Sequence, residues 1–467
     1  MIMLKRLSLY TLCVLSLTAT SCKSDFIDQS PVLNPNEEGI FSSEARLAAG
    51  IEGVYARAKN QYFLGGFATL AGDNRSDDMM NVGGNGYTMR DTYNHNVNAA
   101  GLENDYMFYN AYLGINYANT MIDDIETNYA DRLPCNAETA KQYVQECKFV
   151  RALSYYYLSQ LFGQPYKFSK DAPNVPLRIK AVTGPGENDC PRATVAQVFE
   201  QILKDTEDVS ALPDASENAT KASKAAVHAL RMRVYMCMDE WQKAIDEGDQ
   251  ITGFQLVDIS KMFGPVDANT DENIFSIPMS DSDKSGSQSH PVSFMSPSYG
   301  DITVVNNING IATVYGVDAD ARTKFIEKGK SNWYCVKYRD DLRSEWIPIF
   351  RYAEVLLNYA ECYYRLGNEP KAIEYLKQVR TRSIAAGDDT LVNYAESGAA
   401  LWTAIDNERR WEFLGEGLRG YDISRRAEDY RHPQTDGSWF VIATPDDHTT
   451  YCWAFPEYEK VVNGSIQ

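Results

Sequence analysis

Asp73, Asp77 and Asp78 stand close together in a stretch that also holds Asn74 and Arg75. Clustered carboxylates can share acid–base work, as in glycosidases, whose two carboxyls lie about 5 Å or roughly 6.5–9.5 Å apart. They can also bind Ca²⁺ through oxygen ligands, although no EF-hand register is present. Asp123 with Asp124, and Asp318 with Asp320, form further pairs. In a chain with 64 acidic residues such neighbours arise from composition alone, so closeness in sequence does not define a catalytic pair. Gly415-Glu416-Gly417-Leu418-Arg419-Gly420 satisfies a GxGxxG pattern. A charged helical segment, Asn407 to Leu414, precedes it where a dinucleotide fold needs a buried strand. GxSxG, HExxH and P-loop motifs are absent, and His95, His228, His290, His432 and His448 follow no ligand spacing. Glu408, Arg409, Arg410, Glu412, Arg419, Asp422 and Arg425 interleave both signs, which predicts an ion-pair lattice that locks the last helix onto the body. These patterns predict no catalytic centre, no cofactor and no metal.

The elements that must position these residues are helical. Apolar residues recur at helical spacing in Val195, Val198, Phe199, Ile202, Leu203 and Val209, after a Thr194–Gln197 capping box. Cys147, Val150, Ser154, Tyr157, Leu158 and Leu161 make a second stripe, and Val355, Leu356, Tyr359, Ala360, Tyr363 and Leu366 a third. Few segments alternate with period two, so strands should be minor and short. Met232, Tyr235, Ala244 and Ile245 correspond to Ala360, Tyr363, Ala372 and Ile373 at an offset of 128. The second copy resembles a tetratricopeptide repeat: Gly367 permits a tight turn, Pro370 suits a first helical turn, and Ala360 and Ala372 let helices approach. Such helix pairs bury a face only by stacking on neighbours. Gly65 to Asn104, Asp281 to Ser298 and Thr390 to Gly398 break this rhythm, and long loops are often functional.

At the N-terminus, Lys5 and Arg6 precede an apolar run from Leu7 to Leu17, too short to span a bilayer. Ala19-Thr20-Ser21 before Cys22 reads as an export signal over residues 1–21, with Cys22 as a lipidated N-terminus. Ala19 and Ser21 also suit ordinary signal-peptide cleavage. No apolar run reaches the ~20 residues of a membrane span. The net charge of −19 argues against general nucleic-acid binding. With 44% hydrophobic residues the chain can build a large core. Downstream, Cys135, Cys147, Cys190, Cys237, Cys335, Cys362 and Cys452 are odd in number and cannot all pair. A Cys135–Cys190 disulfide is possible.

Several motifs, in order, resemble the SusD/RagB family of bacterial outer-membrane lipoproteins. Tyr112, Ile115, Ala118 and Asn119 match its Trp-x3-Tyr-x2-Ile-x2-Ala-Asn pattern, with Phe108 in place of the Trp. Val150 to Tyr166 resembles its Arg-Ala…Phe-Gly…Pro segment. Arg192-Ala193-Thr194 with Ile202 to Asp205, Asp320-Ala321-Arg322, and Phe350 to Glu354 come next in order. Asn407 to Arg426 is similar to its Glu-Arg…Glu-Gly-x-Arg…Asp-x-x-Arg signature, and Phe455-Pro456 with Glu459 to its Ile-Pro-x-x-Glu. The resemblance implies a mostly α fold: a tetratricopeptide-like helix-pair scaffold over about 36–255 and 345–426. A loop-rich insertion over about 256–344 and a C-terminal segment, 427–467, complete one unit from 22 to 467, with minor short strands.

The resemblance also implies a role. Such proteins are not enzymes. They sit on the cell surface, capture oligosaccharides or, in some members, peptides, and act as a lid on a TonB-dependent SusC-like transporter. A helical-repeat scaffold that binds only protein is a further alternative. Sugar recognition needs an aromatic face for C–H patches and Asn, Asp or Arg for hydroxyls. Two regions, near the binding face in the family, supply both. One holds Asp73, Asn74, Arg75, Asp77, Asp78, Tyr87, Arg90 and Tyr93. The other holds Trp333, Tyr334, Tyr338, Arg339 and Trp346.

Overall fold

A computed structural model describes residues 37–83, 88–184, 187–263, 270–284, 295, 300–305, 320–338, 344–384, 396–434 and 436–466. Cys22, Tyr87 and Arg339 lie outside these residues. Two units separate, residues 1–50 and residues 51–467. In the first, the described residues carry the Glu37–Ile40 helix and the start of the Glu44–Ala58 helix.

In the second unit, helices dominate and the strands are three to five residues long. Asn136 starts the Ala137–Phe162 helix by accepting from the Thr139 N–H at 2.9 Å. Its whole predicted stripe from Cys147 to Leu161 is buried. The helix packs on Leu102–Asp123 and on Val195–Asp205. The last of these begins with the expected capping box: Thr194 accepts from the Gln197 N–H, and the Gln197 side chain accepts from the Thr194 N–H. One guanidinium ties the three helices together. Arg151 donates to both Asp205 oxygens, at 2.8 and 2.6 Å, and to Asn119 Oδ1 at 2.7 Å.

Both repeat copies are helix pairs: Lys224–Cys237 with Trp241–Gly248, and Tyr352–Arg365 with Glu369–Ser383. Gly367, at φ +77°, adopts the left-handed turn that separates the second pair. Asn368 caps the following helix, and Pro370 sits in its first turn. Ala360, Ala372, Leu356, Leu376 and Leu401 are fully enclosed in one apolar cluster. Burying a leucine side chain contributes about 1.5–3 kcal/mol. Trp241–Gly248 packs on Tyr352–Arg365, so the two copies stack across their separation in sequence.

The GxGxxG motif turns out to be a packing device. Gly417 has φ +77°. A Cβ on Gly420 would stand 2.2 Å from the Gly72 carbonyl oxygen, and one on Gly72 1.9 Å from that of Gly417. Only glycines let the Leu418–Arg425 helix lie this close to Phe67–Asn74. The predicted lattice is present and buried. Arg322 pairs with Asp320 at 2.8 Å, Glu408 at 2.6 Å and Glu412 at 2.9 Å. Arg351 pairs with Glu272, Glu412 and Glu416, and Arg409 with Asp422. Burial pushes the Glu361 carboxyl up, but Arg425 and Arg426 beside it pull harder and hold it well below the usual carboxylate range. Two expectations are corrected. Cys190 is a free thiol, so no disulfide joins it to Cys135. The Gly65 to Asn104 stretch is not one loop, because it folds into the Phe67–Asn74 and Arg90–Tyr93 helices and the Met79–Asn81 strand.

Candidate functional site

The two regions singled out for recognition, far apart in sequence, meet in one antiparallel sheet. Its strands run in the order Met79–Asn81, Ile302–Val304, Trp333–Cys335, Ile326–Lys328. Met79, Val304, Trp333 and Lys328 occupy one row. Side chains in a row share a face, while neighbours along a strand alternate. Trp333 therefore faces the same side as Lys328, whose Nζ lies 5.8 Å from its ring centroid, and Tyr334 faces the other. Both rings are half-buried. The Tyr334 ring is seated against two glycines: a Cβ on Gly329 would lie 2.5 Å from it, and one on Gly300 3.2 Å from its hydroxyl. The Trp333 indole N–H is buried, with no hydrogen-bond partner among the described residues.

Buried polar side chains fix the strand Met79–Asn81 and its exit at Gly83. Asn81 donates to the Thr88 carbonyl at 2.6 Å and accepts from the Gly83 N–H at 3.1 Å. Arg90, exposed, donates to the Gly83 carbonyl. The Arg90–Tyr93 helix is anchored by Glu103, which accepts from the Asp91 N–H at 3.1 Å and the Thr92 N–H at 2.8 Å. Burial lifts the Glu103 carboxyl to about 7, against the bonds from Thr92. Tyr93 stacks on His432 with centroids 4.0 Å apart and planes 11° from parallel. His432 pairs across the Tyr430–Pro433 and Trp439–Ala443 hairpin with Phe440, which is 57% exposed. Burial holds His432 down at about 4, so it is a neutral ring at physiological pH.

Several predicted contacts are turned inward instead. Asp73 accepts from the Gly417 N–H at 3.0 Å, and burial raises its carboxyl well above the ordinary range. Asn74 donates to the Leu70 carbonyl. Arg75 donates to the carbonyls of Gln160 and Tyr451, at 3.0 and 2.6 Å, and lies over the Tyr430 ring. Asp77 takes both its bonds from Arg419, at 2.6 and 2.9 Å, and Asp78 pairs with Arg410 at 2.6 Å. Tyr338 is buried. Asp73, Asn74, Arg75, Asp78 and Tyr338 thus frame the site from inside, because each is packed or bonded within the protein. Arg410, Arg419 and the Gly417 N–H each bond one of the three aspartates. Among the described residues no group of three or more His, Cys, Asp or Glu could hold a metal. Sequence reasoning missed His432, Phe440 and the two glycines under Tyr334; the short apolar run Trp439 to Ala443 was the available signal.

Residues 25–236 match a family model described as "Starch-binding associating with outer membrane", and residues 272–459 match that of the SusD family. A SusD superfamily protein from Bacteroides fragilis, known from its crystal structure, is 38% identical; the match covers 92% of this chain and 100% of that one, with a TM-score of 0.84. A SusD-like carbohydrate binding protein from Bacteroides vulgatus shares the fold at 18% identity, with a TM-score of 0.75 over 91% of this chain and 98% of that one. SusD-like protein P2 of Formosa agariphila is 30% identical over 242 residues, 51% of this chain. The chain spans only 44% of that relative's length. SusD-like protein P25 of the same organism is 21% identical over 87% of each chain. The helical-repeat fold and these matches point to one class of protein, whose family description is starch-binding and associating with the outer membrane. The chain belongs to the SusD/RagB family.

Proposed function

We propose that this protein captures oligosaccharides at the cell surface, unchanged, and passes them to a TonB-dependent SusC-like transporter. A lipid on Cys22 would hold it to the outer membrane. The observation that carries the ligand reading is the sheet that joins Met79–Asn81 to Trp333–Cys335. It sets two half-exposed rings among polar groups that are already committed internally, so the rings hold their places before a ligand arrives. Such preorganisation lowers the ordering cost of binding. Trp333 offers a sugar the half-buried face of its ring, while its indole N–H is turned into the protein. A glycan array identifies the oligosaccharide, and calorimetry then compares Trp333→Ala and Tyr334→Ala with the parent chain. At least a tenfold loss of affinity in one variant, with a nearly unchanged melting temperature, is expected. Intact affinity in both would overturn this site, and capture of peptides with no glycan bound would overturn the ligand class.

A further inference from the structure

We propose that a second pocket, sharing no residue with the sheet, binds a neutral pyranose ring. It is a cavity of about 340 Å³ between the Leu102–Asp123 helix, the C-terminal Glu457–Val462 helix and the chain around Arg178. Sites for small molecules usually span roughly 300–1,000 Å³, so this one suits one or two sugar rings.

Its walls are aromatic. Tyr109, 54% exposed, meets Tyr458 at a centroid distance of 6.5 Å and an interplanar angle of 77°, which forms an L-shaped corner. Phe108 stacks on Tyr112 behind it, and Val462, 52% exposed, closes one side. A pyranose chair, with its patch of axial C–H groups on one face, fits such a corner, one aromatic ring meeting that face and the other its edge.

The polar base selects for charge. Arg178 lines the cavity with its side chain 10% exposed, and it is paired with Glu459, whose side chain is 4% exposed. Arg178 also donates to the Asn188 carbonyl at 3.0 Å and lies over the Tyr112 ring. Its charge is therefore spent, and an anionic ligand gains nothing there. Its Nε–H, however, is buried without a hydrogen-bond partner among the described residues, and leaving such a donor unmet is costly. A hydroxyl brought against the guanidinium would meet it. Burial and the neighbouring Glu459 keep the Tyr458 hydroxyl protonated, so it too can donate. The net charge of −19 disfavours acidic sugars further.

Saturation-transfer NMR and calorimetry with maltose, cellobiose, lactose and mannobiose, against digalacturonate, test this on the full chain. The Trp333→Ala/Tyr334→Ala background silences the sheet, so the two sites are read separately. At least one neutral disaccharide should still bind this background, and adding Tyr109→Ala should weaken it at least tenfold while the melting temperature holds. Tyr109 is exposed, so its loss should leave the fold intact; Tyr458→Phe offers a second, milder probe of the hydroxyl. Three results would each overturn the pocket: no neutral disaccharide binding in the background variant, indifference to Tyr109→Ala, or digalacturonate bound as tightly as the neutral sugars.

Discussion

At the scale of single residues, Glu103 links acidity to the placement of the candidate site. Its carboxyl, lifted by burial from 4.5 to about 7, keeps a proton in the folded chain that the unfolded chain has released. The stability from that proton is fully present below the unfolded value and is lost as pH rises through 7. Glu103→Gln removes the titration and should flatten the pH dependence. In thermal melts at pH 5 and pH 8, the parent chain should lose more melting temperature across the interval than the variant does. Equal losses would show that Glu103 titrates normally. His432 works the other way: held at about 4, it stays neutral under Tyr93, and protonating it would cost the folded state as pH falls from 6.5 toward 4.

At the scale of elements, buried guanidinium groups act as rivets. Arg151 joins three helices, Arg322 joins the Asp320 turn to the Gly398–Phe413 helix, and Arg233 clamps Glu354. Replacing one partner leaves the other charge uncompensated, which typically costs about 3–5 kcal/mol. Arg151→Leu, which strands the carboxylate of Asp205, should lower the unfolding free energy by that order, read in urea melts as a clearly lower midpoint. Lys148→Ala, at a largely exposed pair with Glu126, should change it little. If the two variants unfold at the same midpoint, the lattice is not what holds the helices together. Further buried ion pairs pin the segments beside the candidate site's sheet: Asp78 to Arg410 next to one strand, and Lys337 to Glu416 next to another, at 2.6 Å each.

For the whole molecule, the prediction concerns location. If Cys22 carries the acyl chains, Cys22→Ala should shift the protein from the membrane fraction to the soluble fraction, with sheet-site affinity unchanged. Acyl burial contributes about 0.8 kcal/mol per methylene, so loss of several chains is decisive. Retention in the membrane fraction would refute lipid anchoring at this residue. None of the helices among the described residues is long and apolar enough to cross a membrane.

Much of the scaffold could be read along the chain, because its signals are local. The capping box at Thr194, the stripe from Cys147 to Leu161, and Gly367 with Pro370 each act over a few residues, and each folds as its spacing dictates. The mixed charges of Glu408 to Arg425 announced a lattice, since so many opposite charges at helical spacing must find one another. What the residues around Asp73 do was set elsewhere. Arg410, Arg419 and Gly417 lie more than 300 positions away and claim its carboxylates, and no local pattern names partners so distant. Pairing across the sheet likewise put Trp333 in one row with Val304 and Met79, and packing of the Arg90–Tyr93 helix on the C-terminal hairpin set His432 against Tyr93. Helices declare themselves by period; a recognition surface is made by segments that meet only after the chain has folded.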